Sequence, residues 1–384
     1  MSRFLAQWHT QLHPGQAPPA QVEALLDALP HATLYNSLPW CQSAADLLLG
    51  PRALQVLTVT EPGCNADKPG AGLAAWLPLT AGRERIHGLP VRTLRLLGHP
   101  FNDRVALPMR GDDSALVSVV IDALLGCPRR WDLLVISELH GLQERCQWAA
   151  ALALRPDLRA EWRACSSTPV LDLAPGAVPP QRLQSASARA ARSRRKLAAA
   201  GRVHFERPLP TPSEVPALIA MCKAIEDASW KGQHGLGIFS TVIGQRFFLA
   251  AGQRLAARGW LDIGLLMLDG QPVSYRFGFR HRGTYLDFNL AFDPAYAALA
   301  PGRVLLDEMI ASSRQQGLAI VDASRSSRSE PHLIADWTDQ RIEHHELWLF
   351  RPTWRGRLLA WARGRLLPSL RPWLLPWLQR WRAG

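Results

Sequence analysis

The clearest alternation of apolar and polar positions lies between residues 261 and 322. Residues 261–268 form a short, mostly apolar run. Asp269-Gly270 is a hairpin turn signal, and 271–279 resumes with the strand formers Val273, Tyr275, Phe277 and Phe279. Arg280 to Gly283 turns the chain again, and 284–290 alternates polar and apolar residues. Ala300-Pro301-Gly302-Arg303 then opens a helix with Val304, Leu305, Met309 and Ile310 as its apolar side. Gly317 fits a C-terminal stop, and 318–322 reads as a buried strand. A three-stranded meander feeding a helix whose start follows a glycine is a candidate anion cradle. Unpaired N–H groups and the helix dipole both favour phosphate there.

The first half has its own α/β pattern: helix at 21–29, strands at 54–60, 72–79 and 93–97, helix at 114–125 and strand at 131–136. Prolines and a glycine punctuate 168–180, which places a domain boundary there. A basic helix at 185–200 follows, with Arg189, Arg192, Arg194, Arg195 and Lys196. Next come a strand at 203–207, a helix at 214–230 and a second helix capped by Thr241. Beyond 322 a polar loop leads to a short helix at 331–337 and a last strand at 341–350. The expected domains are 1–170 and 201–350, joined by 171–200 and followed by a tail at 351–384.

Composition narrows the function. At 384 residues and 47% hydrophobic content the chain can bury two cores. A formal charge of +12 suggests contact with something acidic: nucleic acid, anionic lipid or a phosphate-bearing substrate. The six cysteines (41, 64, 127, 146, 165 and 222) form no CxxC pair, which argues against a disulfide framework or zinc site and fits a reducing compartment. The N-terminus lacks the apolar core of a signal peptide, and no apolar run of about 18 residues occurs, so a cytoplasmic location is expected.

The order of elements in the second half is similar to the GNAT acyltransferase fold. Four motifs carry a closer resemblance: Arg194-Arg195-Lys196-Leu197 with Gly201 to Phe205; Glu226 to Lys231; Asp269 to Ser274; and Phe292 to Tyr296 leading into Ala300-Pro301-Gly302. In these the chain resembles the CelD/BcsL family of GNAT-type acetyltransferases, relatives of the FemAB-like peptidyltransferases. The segments 35–40, 96–98 and 131–134 extend the likeness into the first half. The resemblance implies two GNAT-like halves with mixed sheets and an acyl-CoA co-substrate, with no metal. It also implies a saccharide or amine acceptor in polysaccharide or cell-envelope biosynthesis. Where family members carry Tyr-Lys after the last core strand, this chain has His332-Leu333.

Candidate site residues follow. Pro301, Gly302 and Arg303 would hold the donor's pyrophosphate, although Arg303 also reads as a solvated arginine. Acyl transfer needs a proton acceptor and oxyanion stabilisation, and Glu226, Asp287 and Asp322 are the carboxylates near expected element ends. Trp230, Lys231, Tyr285 and His332 are candidate substrate contacts, with Lys231 suited to an anionic acceptor. His344 and His345 face opposite sides of a strand, read as surface or interface residues, and cannot easily chelate one metal. No P-loop and no G-x-S-x-G elbow occurs.

The tail at 351–384 holds five tryptophans and eight arginines and no acid, the composition of a segment lying in a membrane interface, at the inner membrane face. Packing of those tryptophans on the protein's own domains is the other reading. Two further functions remain open: aminoacyl transfer from charged tRNA, which would use the basic helix, and a non-catalytic GNAT-fold scaffold at the membrane surface.

Overall fold

The computed structural model describes residues 3–15, 17–61, 72–110, 114–325 and 332–366. The strands are β1 (Leu5–His9), β2 (Ala53–Thr60), β3 (Leu73–Ile86), β4 (Leu89–Leu96), β5 (Leu133–Leu139) and β6 (Arg159–Asp172) in the first half. They continue as β7 (Val203–Glu206), β8 (Leu261–Leu268), β9 (Gln271–His281), β10 (Thr284–Phe292), β11 (Ile320–Asp322) and β12 (Arg341–Phe350). The helices are α1 (Pro19–Ala28), α2 (Leu38–Leu47), α3 (Ser114–Leu125), α4 (Leu142–Ala153), α5 (Pro180–Ala200) and α6 (Val215–Ala228). After them come α7 (Trp230–Gln233), α8 (Val242–Ala256), α9 (Pro301–Gln315) and α10 (Trp354–Trp361).

The strands join one mixed sheet in the order β1-β2-β3-β4-β5-β12-β6-β11-β10-β9-β8-β7. Local chemistry sets its hairpins. His87-Gly88, Asp269-Gly270 and Arg282-Gly283 each place two successive residues at positive φ, the backbone that two-residue hairpins require. Helix α5 begins earlier than its charge pattern suggests, because Pro180 occupies a first-turn position where its missing N–H costs nothing. Strand β6 crosses the proline-punctuated stretch: it runs through Pro169 and pairs with β12 on one edge and β11 on the other.

Helices cover both faces. On one, the core is aromatic and continuous between the halves: Trp40 of α2 meets Phe247 of α8 at 4.9 Å and Phe279 of β9 at 5.8 Å between ring centroids. On the other, α9 buries Val304, Leu305, Leu306, Met309 and Ile310 under β8–β11, with Leu197 of α5 in the same cluster.

Candidate functional site

The site grows from the way β10 is held. On one edge it pairs with β9 antiparallel, and between Leu286 and Asn289 the register shifts. Leu286 sits opposite Phe279 and Asn289 opposite Phe277, so β10 carries one residue more than β9 over this step, a β-bulge. On its other edge β10 pairs parallel with β11 only through Thr284, Tyr285 and Leu286. Among the described residues no β-strand pairs with this edge of 287–292, where an extended ligand could add hydrogen bonds.

The bulge decides which face each polar side chain reaches. Tyr285 and Asp287 point under α9, whereas Asn289 is turned to the α6 side. There Glu226, buried in the last turns of α6, accepts from three donors. The Phe239 N–H lies 2.7 Å from Oε1, and Tyr275 Oη and Asn289 Nδ2 each lie 2.8 Å from Oε2. Lys231 Nζ continues the network to Asn289 Oδ1 at 2.6 Å and the Leu290 carbonyl at 2.7 Å. Ser229 makes the local turn: its hydroxyl accepts from the Lys231 N–H at 3.2 Å and caps α7. Burial lowers the Lys231 pKa, and the nearby Glu226 and Asp287 charges oppose that shift without cancelling it. Beside the amine a cavity of about 210 Å³ is lined by Trp230, Leu290, Phe292, Pro294 and Ala297, an apolar wall with one cationic contact.

On the opposite face, Arg276 of β9 is fully buried, forms an ion pair with Asp287 and donates to the Gly302 carbonyl at 3.3 Å. Tyr285 Oη donates to Asp287 Oδ1 at 3.3 Å. Burial and the adjacent Asp287 push the Tyr285 phenol up. Ala300, with left-handed backbone (φ 52°), turns the chain into α9, and Pro301 occupies a first-turn position. A Cβ on Gly302 would meet only Phe292 Cδ1, at 3.6 Å, so protein packing does not demand glycine at this position. Arg303 turns away from the helix start and is ion-paired with Asp336, which Arg189 also engages at 3.1 Å.

The remaining candidates lie at the end of β11. Asp322 is buried, ion-paired with Arg104 of the first half, and accepts from the Ser324 N–H at 3.1 Å. His332 Nδ1 accepts from the Ile334 N–H at 3.3 Å. Burial lowers its pKa, with Asp287 raising it and Arg276, Arg341 and Lys231 lowering it. A neutral ring whose Nδ1 accepts carries its proton on Nε2, so His332 offers a donor to the site. The structure thus brings Glu226, Lys231, Tyr285, Asp287, Gly302 and His332 around the outer half of β10. Arg303 and Asp322 are drawn into ion pairs beside it. Trp230 stands at the cavity rim, 56% exposed.

Three site residues were not foreseen in the sequence: Tyr275, Arg276 and Asn289. Tyr275 and Arg276 are adjacent on a strand and face opposite sides, and the polar pattern of β9 carries that signal. Asn289 depends on the bulge. His344, read as a surface or interface residue, is fully buried; its Nδ1 lies 2.9 Å from Glu138 Oε2, and Nε2 lies 3.1 Å from Thr168 Oγ1. The central place of β12 in the sheet, between β5 and β6, is what encloses it. Ser326 and Ser327 lie outside the described residues. Among the described residues no group of three or more His, Cys, Asp or Glu side chains could hold a metal.

Residues 184–332 match the acetyltransferase (GNAT) domain family. No curated protein gives a significant match. Among solved structures, the chain is similar to the C-terminal domain of a putative lysylphosphatidylglycerol synthetase from Agrobacterium fabrum (14% identity, 90% of this chain and 96% of that chain, TM-score 0.50). It is also similar to FemX (9% identity, 88% of this chain and 96% of that chain, TM-score 0.56). A third similar structure is L-PGS from Bacillus licheniformis (11% identity, 91% of this chain and 97% of that chain, TM-score 0.50). At these identities the likeness is one of fold: a mixed α/β architecture built on one large mixed sheet. The segment that builds the β10 edge and the start of α9 thus lies within the match to the acetyltransferase (GNAT) domain family, and that match supports a transferase.

Proposed function

We propose that the protein moves an acetyl or other acyl group from acyl-CoA to an amine or hydroxyl acceptor in polysaccharide or cell-envelope biosynthesis, as a CelD/BcsL-like member of the GNAT group. One observation carries this reading: β10 leaves its pairing with β11 after Leu286, opening a strand edge between an apolar cavity and the start of α9. The pantetheine would run along that edge, and the pyrophosphate would meet the helix start at Pro301 and Gly302. Arg303 would join it only by releasing Asp336.

In this reading Lys231 and His332 contact the substrates. The Lys231 amine already occupies the Leu290 carbonyl on the open edge, and the His332 ring N–H serves as donor. Glu226 and Asp287 are satisfied by buried partners and act as positioning residues: Glu226 aims Asn289 and hence Lys231, and Asp287 holds Arg276 against Gly302. Asp322 fixes β11 to the first half through Arg104. The proposed division into halves at 1–170 and 201–350, with 171–200 between them, puts α5 behind α9.

The same reading places the enzyme at the inner membrane face through residues 351–384, of which 367–384 lie outside the described residues. Among the described residues no helix is long and apolar enough to cross a membrane. A second reading, aminoacyl transfer from charged tRNA, is favoured by α5, where Arg192, Arg195 and Lys196 are exposed with no carboxylate partner among the described residues.

Calorimetry with acetyl-CoA on wild type and Ala297→Trp, which fills the cavity, tests the main reading. Micromolar binding abolished by the substitution is expected. Absence of binding to wild type, with salt-sensitive binding of charged tRNA instead, would favour the second reading.

A further inference from the structure

Helix α10 buries one side and exposes an apolar stripe on the other. Leu359 and Ala360 pack with Leu133, Val135, Trp348 and Phe350. Trp354, Leu358 and Trp361, at i, i+4 and i+7, are 68%, 37% and 47% exposed. Single exposed apolar residues are ordinary, but three large ones along one helical stripe mark an interaction surface. Trp361 also lines a pocket of about 350 Å³ with Asp157, Arg159, Phe350, Arg351 and Arg357. Arg351 is anchored, donating to the Leu125 carbonyl at 2.7 Å and standing over Trp131. Arg159 and Arg357 are exposed and have no carboxylate partner among the described residues. Asp157 is already engaged by Arg155 at 3.1 Å. The pocket is therefore cationic. The chain that continues from α10 carries Arg371, Arg380 and Arg382 and no acid in residues 367–384, so charge makes it a poor occupant.

We propose that this pocket receives the phosphate of an anionic phospholipid headgroup while Trp354, Leu358 and Trp361 lie in the membrane interface. The inference rests on the peripheral-membrane part of the reading above and assigns it a structured site. A free phosphate would satisfy the guanidinium groups and leave the apolar stripe in water; a lipid surface satisfies both at once.

The test is co-sedimentation of the full chain with vesicles of phosphatidylcholine alone or mixed with phosphatidylglycerol. Binding to the anionic vesicles only is expected. Arg159→Gln with Arg357→Gln should weaken it about 25-fold, about five-fold per charge removed near the surface. Arg192→Gln with Arg195→Gln on α5, an equal loss of charge, should leave it within about three-fold. Trp354→Ser with Leu358→Ser should weaken binding without changing net charge. Displacement by millimolar glycerol 1-phosphate would overturn the proposal in favour of a soluble phosphate ligand. Binding kept by the pocket variant but lost in Arg371→Gln/Arg380→Gln/Arg382→Gln would overturn the pocket and leave the membrane reading standing. No binding to either vesicle would overturn both.

Discussion

Asn289 Nδ2 donates to Glu226 Oε2 at 2.8 Å, joining the bulge of β10 to the end of α6. Tyr275 Oη shares the same oxygen, and Lys231 reaches the other end of the Asn289 amide. The carboxylate thus sets the side chain that positions the Lys231 amine.

Glu226→Gln replaces one acceptor oxygen by an NH₂ group. Whichever way the amide turns, that group faces a donor: the Phe239 N–H, or Tyr275 and Asn289. A buried donor left unsatisfied costs about 1–3 kcal/mol. Urea unfolding should show a loss in that range, and acyl-transfer kcat should fall because Asn289 no longer aims Lys231.

Arg276 and Asp287 form a buried pair with side-chain exposures of 1% and 0%. Removing either partner alone strands a charge, at about 3–5 kcal/mol. Arg276→Met and Asp287→Leu should each destabilise by that amount, and the double variant by clearly less than their sum. Additive losses in a double-mutant cycle would show that the pair is uncoupled.

Two glycines should respond oppositely. A Cβ on Gly237 would meet Glu226 Oε1 at 2.1 Å and Ser240 Oγ at 2.5 Å. Gly237→Ala is expected to cost about 1–3 kcal/mol and to reduce activity by displacing the carboxylate. Gly302→Ala meets Phe292 at 3.6 Å only, so its stability should equal or exceed wild type by up to about 1 kcal/mol. Its KM for acetyl-CoA should rise, since the added methyl crowds the proposed pyrophosphate. An unchanged KM would remove Gly302 from the donor site.

Acid should destabilise the protein through His140. Burial, then the neighbouring Arg104, lowers its pKa to about 3, and its Nδ1 lies 2.9 Å from the Val105 carbonyl. The unfolded chain titrates near 6.5. Below that value it binds a proton the native state refuses, so stability falls as pH drops from about 6.5 to about 3. The loss is on the order of 4 kcal/mol. Urea titrations of His140→Gln should show a correspondingly flatter dependence over the same window.

The Asp269-Gly270 hairpin, the start of α9 at Pro301 and the strand at 341–350 were legible in the sequence, because turn chemistry, proline placement and apolar period act over a few neighbouring residues. The GNAT order of the second half followed from them. Strand β6 alternates polar and apolar residues only over Arg159 to Ala164; its remainder, with Ser166, Ser167, Thr168 and Pro169 in succession, has no such pattern, and its neighbours in the sheet make it a strand. Pairings such as Arg303 with Asp336 and Asp322 with Arg104 depend on which elements face each other. Residue type alone suggested a phosphate ligand and a base at those positions. The composition of β10 was legible, but the side its Asn289 faces was not. Strict alternation puts Asn289 with Tyr285 and Asp287, and one extra residue opposite Phe277 and Phe279 turns it to Glu226. A strand's period is local, whereas its register belongs to the pair of strands, so that inversion arose only when β9 and β10 met.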